Sequence, residues 1–109
     1  MSNHITRLFR AIADPNRREI FHILILASTA LSISQISDHF SMTRQAVTKH
    51  IKYLENVGLV SIEDQGRERF CQANALPLKE IKEWVGFYER FWDDKLAKLA
   101  KHLESKRKA

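Results

Sequence analysis

The chain has 109 residues, 44% of them hydrophobic and 28% charged, the balance of a folded chain rather than a disordered one. That length suits one domain with a modest core, burying about 65% of the unfolded surface, so a second copy of the chain would add stability. A formal charge of +5 favours a polyanionic partner, and the single cysteine, Cys71, excludes both an intrachain disulfide and a four-cysteine zinc site.

In chain order, Ile5, Leu8, Phe9 and Ile12 recur at i, i+3, i+4, i+7 and predict a first helix with one apolar stripe. Asp14-Pro15 ends it and opens a second: Asp14 can cap free N–H groups, and Pro15 sits where its missing N–H costs nothing. That second helix, through Ile20, Phe21, Ile23, Leu24 and Leu26, is apolar almost all round and is expected to be the buried centre of the domain. After Ser28-Thr29-Ala30, a short strand at 31–33 precedes a third, short helix capped by Ser34, with Ile36 and Phe40 facing inward. Ser41-Met42 then leads to a fourth helix with Thr43 as its N-cap. It turns Ala46, Val47, Ile51 and Leu54 inward and stops at Gly58, which suits a left-handed C-cap. The third and fourth helices have the spacing of a helix-turn-helix.

Beyond Gly58 the period changes. Residues 59–63 and 69–73 alternate imperfectly around Gln65-Gly66 and predict a β-hairpin. Pro77 starts a long helix expected to reach about His102, roughly 40 Å at 1.5 Å per residue. The expected fold is mainly α with a small β-hairpin: a single winged helix-turn-helix domain over 1–104, including N- and C-terminal dimerisation helices, and a flexible basic tail over 105–109.

Short helix, tight turn, longer helix, hairpin: a helix so presented fits the major groove of B-DNA, and the hairpin reaches the neighbouring backbone. The outward residues of the fourth helix, Arg44, Gln45, Thr48 and Lys49, have the right chemistry. Arg and Lys donate to guanine O6 and N7, Gln pairs with adenine, and Thr meets a base edge or a thymine methyl. No acid occurs between Ser41 and Leu54, as a face meeting phosphates requires, and Arg67 and Arg69 make the expected hairpin tip basic. An ordinary solvated helix face would also be polar and basic, and a winged helix docking an acidic protein is the rival from another class. The capped turn, the Gly58 stop and the hairpin together favour DNA.

The stretch 9–18, Phe-Arg-Ala-Ile-Ala-Asp-Pro-Asn-Arg-Arg, resembles the opening of the ArsR/SmtB family of bacterial winged-helix repressors. Residues 42–51, with Leu54 and Gly58-Leu59-Val60, resemble that family's recognition helix and the following strand. The resemblance covers about 4–75. It implies a homodimer that represses transcription on an operator of double-stranded DNA, with Arg44, Gln45, Thr48 and Lys49 at bases or nearby phosphates and His50 and Lys52 as backbone contacts; Thr43, at the start of that helix, joins them as an expected DNA-binding residue. Metal-sensing relatives carry Cys-x-Cys before the recognition helix, where this chain has Ser37-Asp38-His39-Phe40. Others carry Asp-x-His on the C-terminal helix, where 83–89 lacks it. No metal and no cofactor are therefore expected, since His4 and His102 make only two ligands for a metal that needs more.

The C-terminal helix repeats Trp84, Phe87, Tyr88, Phe91, Trp92, Leu96, Leu99 and Leu103 at three- and four-residue spacing. A two-stranded hairpin cannot cover so aromatic a stripe, which must pack on the first helix, a second subunit or both. Ile5, Leu8 and Phe9 with Trp84, Phe87, Tyr88, Phe91, Trp92, Leu96 and Leu99 are thus the expected dimer interface. The same rings leave room for a small-molecule effector, and 87–96 resembles a subgroup of the family that does not sense metals. Cys71 reads as packing on a hairpin strand. No nucleophile–base–orienter set is present, and three glycines do not make a phosphate loop, so an enzyme is not expected. The longest apolar run, 23–27, is far too short to span a membrane, and the opening 1–4 does not read as a signal peptide; a cytoplasmic chain is expected.

Overall fold

Helix boundaries in this chain are written in capping chemistry, as the computed structural model, which describes residues 3–108, makes plain. Helix α1, Asn3–Ala13, gives way to α2, Pro15–Ala27, at Asp14. The Asp14 carboxylate accepts from Asn16 N at 2.8 Å and Arg17 N at 3.1 Å, with Pro15 in the first turn, as the sequence predicts. At the far end of α2, Ser28 takes the left-handed conformation, φ 55°.

The strand β1 is Leu31–Ser32 and the short helix α3 is Ile33–Ser37. Its cap is Ser32, not the Ser34 expected from sequence. Ser32 Oγ accepts from Gln35 N at 3.1 Å while Gln35 Oε1 accepts from Ser32 N at 2.8 Å, a reciprocal pair that needs glutamine three residues after the serine. Ser34 has no such partner at 37.

Thr43 caps α4, Arg44–Asn56, by accepting from Ala46 N at 3.1 Å. The helix closes with Gly58 N donating to Glu55 O at 3.0 Å and Leu59 N to Leu54 O at 2.9 Å, a Schellman arrangement. Gly58 has φ 85°, which a side chain would resist. Strands β2, Val60–Gln65, and β3, Glu68–Ala73, then form the hairpin, and β1 pairs on the other side of β3, giving an antiparallel sheet in the order β1-β3-β2. The turn is Gly66-Arg67, one residue later than Gln65-Gly66, because Gln65 pairs with Glu68 and Gly66, φ 65°, supplies the positive first torsion of a two-residue hairpin loop.

The chain separates into two compact units, one running to Leu78 and one from Lys79 onward. The first holds the whole core: Ile5, Leu8, Ala11, Ile20, Leu24, Ile33, Ile36, Val47, Ile51, Leu54, Val57, Leu59, Val60 and Cys71 are buried. Helix α2 is not buried all round as expected. Only Ile20 and Leu24 are, while Ile25 and Leu26 are exposed, because α1, α4 and β3 flank one side of the helix.

The second unit is the body of helix α5, Leu78–Lys108. It starts one residue after Pro77 and continues past His102 through the segment expected as a tail; residue 109 of that segment lies outside the described residues. Past Cys71 no described residue is buried. No helix among the described residues is long and apolar enough to cross a membrane.

Candidate nucleic-acid interface

Val47, Ile51 and Leu54 are fully buried and fix which way α4 faces. At about 100° per residue, Gln45, Lys49, Lys52 and Asn56 then form the outermost line of the helix. Arg44 and Thr48 lie on one flank; His50 and Tyr53 lie on the other. Arg44, Gln45, Lys49 and Lys52 are exposed, whereas Thr48 and His50 are half-buried. Arg44, Gln45 and Thr48 line one shallow depression at the start of the helix.

Sequence reasoning placed Thr48 at bases or nearby phosphates and Lys52 with the backbone contacts. Thr48 Oγ1 donates to Arg44 O at 2.8 Å, so its proton is committed to the helix and only its methyl and acceptor lone pairs face outward. Lys52 shares the line of Gln45 and Lys49. His50 turns toward the start of α2, close enough for its charge to act on Asp14. Partial burial works against the Asp14 carboxylate, but the backbone N–H donors of Arg17 and Asn16, followed by the charges of Arg17 and His50, outweigh it and hold its pKa below the usual value.

The wing is less basic than its tip suggests. Between 63 and 69 it carries Glu63, Asp64 and Glu68 against Arg67 and Arg69. Asp64 and Arg69 are cross-strand partners, and Arg69 Nε lies 3.2 Å from Asp64 Oδ1. Arg67, exposed at the turn, carries no such ion pair on the hairpin.

Three arginines outside α4 hold the helices around it, two of them touching α4 itself, and the sequence reading missed all three. Arg17 donates from Nε to Ala11 O and from Nη2 to Arg10 O, both at 2.8 Å, and its guanidinium lies 4.1 Å from the centre of the Tyr53 ring on α4. Arg18 Nη1 donates to Ile12 O at 2.6 Å and Ala13 O at 3.2 Å, closing the carbonyl end of α1. Arg7 Nη2 donates to Asn56 O at 3.0 Å, at the carbonyl end of α4. The available signal was electrostatic: two cations just past a helix-ending Asp-Pro sit beside the negative end of the helix they follow.

Of the residues expected at a dimer seam, Ile5 and Leu8 are already buried within the chain, so they have no area left for a partner, and Phe9 is half-buried. On α5, Trp84 is half-buried, and Phe87, Phe91, Trp92, Leu96, Leu99 and Leu103 are each more than half exposed, with Tyr88 at 40%. The rings lean on one another: Trp84–Tyr88 centroids are 5.0 Å apart, Phe87–Tyr88 5.1 Å and Phe87–Phe91 5.6 Å. Trp84, Val85, Tyr88 and Trp92 frame an open depression on this helix. Cys71 is fully buried on β3, and burial, with the Glu55 carboxylate adding and Arg69 opposing, pushes its thiol pKa up to about 11. Among the described residues no three His, Cys, Asp or Glu side chains are grouped to hold a metal.

A family model described as a helix-turn-helix domain matches residues 12–63. The chain is 35% identical over 91 residues to YuzN, an uncharacterised HTH-type transcriptional regulator of Bacillus subtilis (strain 168), covering 78% of this chain and 99% of that protein. It is 24% identical over 81 residues to the transcriptional repressor SdpR of the same organism, covering 74% and 88%. Among solved structures, an ArsR family transcriptional regulator, RHA00566, superposes with a TM-score of 0.75 at 27% identity, covering 84% of this chain and 98% of that one. The homodimeric winged helix-turn-helix DNA-binding domain of Mb0332 from Mycobacterium bovis shares the fold at a TM-score of 0.63 and 17% identity, covering 81% and 80%.

Proposed function

We propose a function from one premise: this chain belongs to the ArsR-type winged helix-turn-helix transcriptional regulators, and it is not an enzyme. Within that family we infer a homodimeric repressor that reads a pseudo-palindromic operator with the outward line of α4. The observation that carries this reading is the face itself. Arg44, Gln45, Lys49 and Lys52 are exposed on a helix capped at both ends, with no carboxylate from Ser41 to Leu54. Carboxylates are excluded where phosphates would lie, and the donors that remain can read guanine and adenine edges. Arg67 reaches for the neighbouring backbone. The bare stripe of α5 supports the homodimer, since two copies can cover each other's rings, and the repressor role is supported by likeness to SdpR.

Selection of bound duplexes from a random-sequence library tests this directly. The expected product is a pair of inverted half-sites about one helical turn, or ~34–36 Å, apart. With roughly 6–10 phosphate contacts, affinity falls about 10³- to 10⁵-fold between 50 and 200 mM salt. Arg44→Ala or Gln45→Ala relaxes base preference at one position by about 1–3 kcal/mol. A library that returns no shared sequence, with binding at low salt no better than to a random duplex, sinks the reading.

A further inference from the structure

Val47, Ile51 and Leu54, fully buried, set which face of α4 meets the core, and apolar contact, being non-directional, leaves the last few degrees of roll to directed contacts. Tyr53 lies on the flank of that helix, well away from the buried face. Against its ring lies the guanidinium of Arg17, at 4.1 Å from the centroid. Arg17 is not a surface cation that happens to be near. Its side chain is only 15% exposed; Nε and Nη2 are held by the carbonyls of Ala11 and Arg10; and Nη1 lies 3.9 Å from Asp14 Oδ2. Two directed bonds fix the plane of the fork, and a fixed plane is a platform on which an aromatic ring can rest in one orientation.

We propose that Arg17 is a positioning residue for DNA reading: locked to the end of α1, it fixes through Tyr53 the roll angle at which α4 presents Gln45, Lys49 and Lys52. The inference rests on the reading of α4 as the DNA-contacting helix. Arg7, donating to Asn56 O less than one turn beyond Tyr53, holds the backbone, not a side chain, at the carbonyl end of the same helix, which leaves roll to the Arg17–Tyr53 contact. Lysine at 17 keeps the charge and loses the planar fork. Leucine at 53 keeps apolar bulk and loses the ring face, whereas phenylalanine keeps the face.

The test is a double-mutant cycle on the full chain. The probes are a duplex recovered by the wild type from a random library and a scrambled duplex of equal length. The readout is the ratio of the two affinities, measured well below every variant's melting temperature. Tyr53→Phe stays within about twofold of the wild type. Arg17→Lys and Tyr53→Leu each lower the ratio by about fivefold, and the double variant falls no further than either alone. A merely structural loss lowers stability and leaves the ratio unmoved. Losses that multiply in the double variant overturn the proposal, as does Tyr53→Phe failing as badly as Tyr53→Leu, which would make the phenol a direct DNA contact. Should Arg17→Lys not fold, the contrast between Tyr53→Phe and Tyr53→Leu decides alone. A wild type that does not distinguish the two duplexes overturns the DNA reading of α4 itself.

Discussion

Helices α4 and α5 carry the same kind of sequence signal and meet opposite fates. Each repeats apolar residues every three or four positions. On α4 the repeat is spent: Val47, Ile51 and Leu54 are fully buried, both ends are capped, and the opposite face is free to be polar. On α5 the repeat is wider and more aromatic, yet Phe87, Phe91, Trp92, Leu96, Leu99 and Leu103 remain mostly exposed in the single chain. A helix with its apolar face filled is a finished part of a protomer; one with that face bare needs a partner to complete it. On the proposed function, the difference separates a reading element from an assembling one.

The contrast is broken most severely by placing a charge on the bare stripe. Leu99→Asp would put an unpaired carboxylate into the proposed subunit seam, weakening dimerisation by about 4 kcal/mol or more, a thousandfold, with little effect on the fold of the first unit. Sedimentation equilibrium reads this directly, and a variant that dimerises like the wild type would move the seam elsewhere. Ile51→Ala on α4 acts on the other side of the comparison. It removes buried methyl groups from a filled core and costs about 2–5 kcal/mol in denaturant unfolding, whatever the protein concentration.

Alkaline pH distinguishes the two regions without a mutation in either helix. The buried Cys71 thiol has its pKa raised from 9.0 to about 11. Between those values the unfolded chain has lost the proton that the folded chain keeps, so stability present below pH 9 is lost as pH rises toward 11, on the order of 2–3 kcal/mol in all. Unfolding midpoints from pH 8 to 11 should fall more steeply for the wild type than for Cys71→Ala. Equal slopes would show that the thiol carries none of the loss.

How much of this was legible follows the same division. Cap chemistry is local, so Asp14-Pro15, Thr43 and Gly58 marked their helix ends correctly from sequence, and the misplaced Ser34 shows the limit. Two serines compete there, and only the one with glutamine three residues on can close the reciprocal pair. The face of α4 was legible because its apolar residues have cover within the chain. The surroundings of α2 were not, because an all-round apolar helix says nothing about how many neighbours the fold supplies; Leu26 is 68% exposed. Long-range arginine contacts were invisible too, since Arg7 and Asn56 lie 49 residues apart in the chain and no local pattern links them.

The smallest expected effect tests the finished helix at its first residue. Thr43 was expected from sequence both to cap α4 and to lie at the DNA, and substitutions there separate the two roles. Its side chain accepts from Ala46 N at 3.1 Å, and the residue is exposed, so Thr43→Ala loses one hydrogen bond at a helix end and almost no buried area. The cost is about 1 kcal/mol in denaturant unfolding. Thr43→Ser keeps both the acceptor and DNA binding. Thr43→Asp keeps the acceptor, adds a charge that the helix N-terminus favours, and so holds stability at the wild-type level. If residue 43 lies at the DNA as proposed, the same charge meets phosphates and weakens DNA binding by about tenfold at low salt, with the deficit shrinking as salt rises. An aspartate variant that binds DNA as well as the serine one would leave Thr43 a cap and nothing more, and would place the first DNA-facing residue at Arg44.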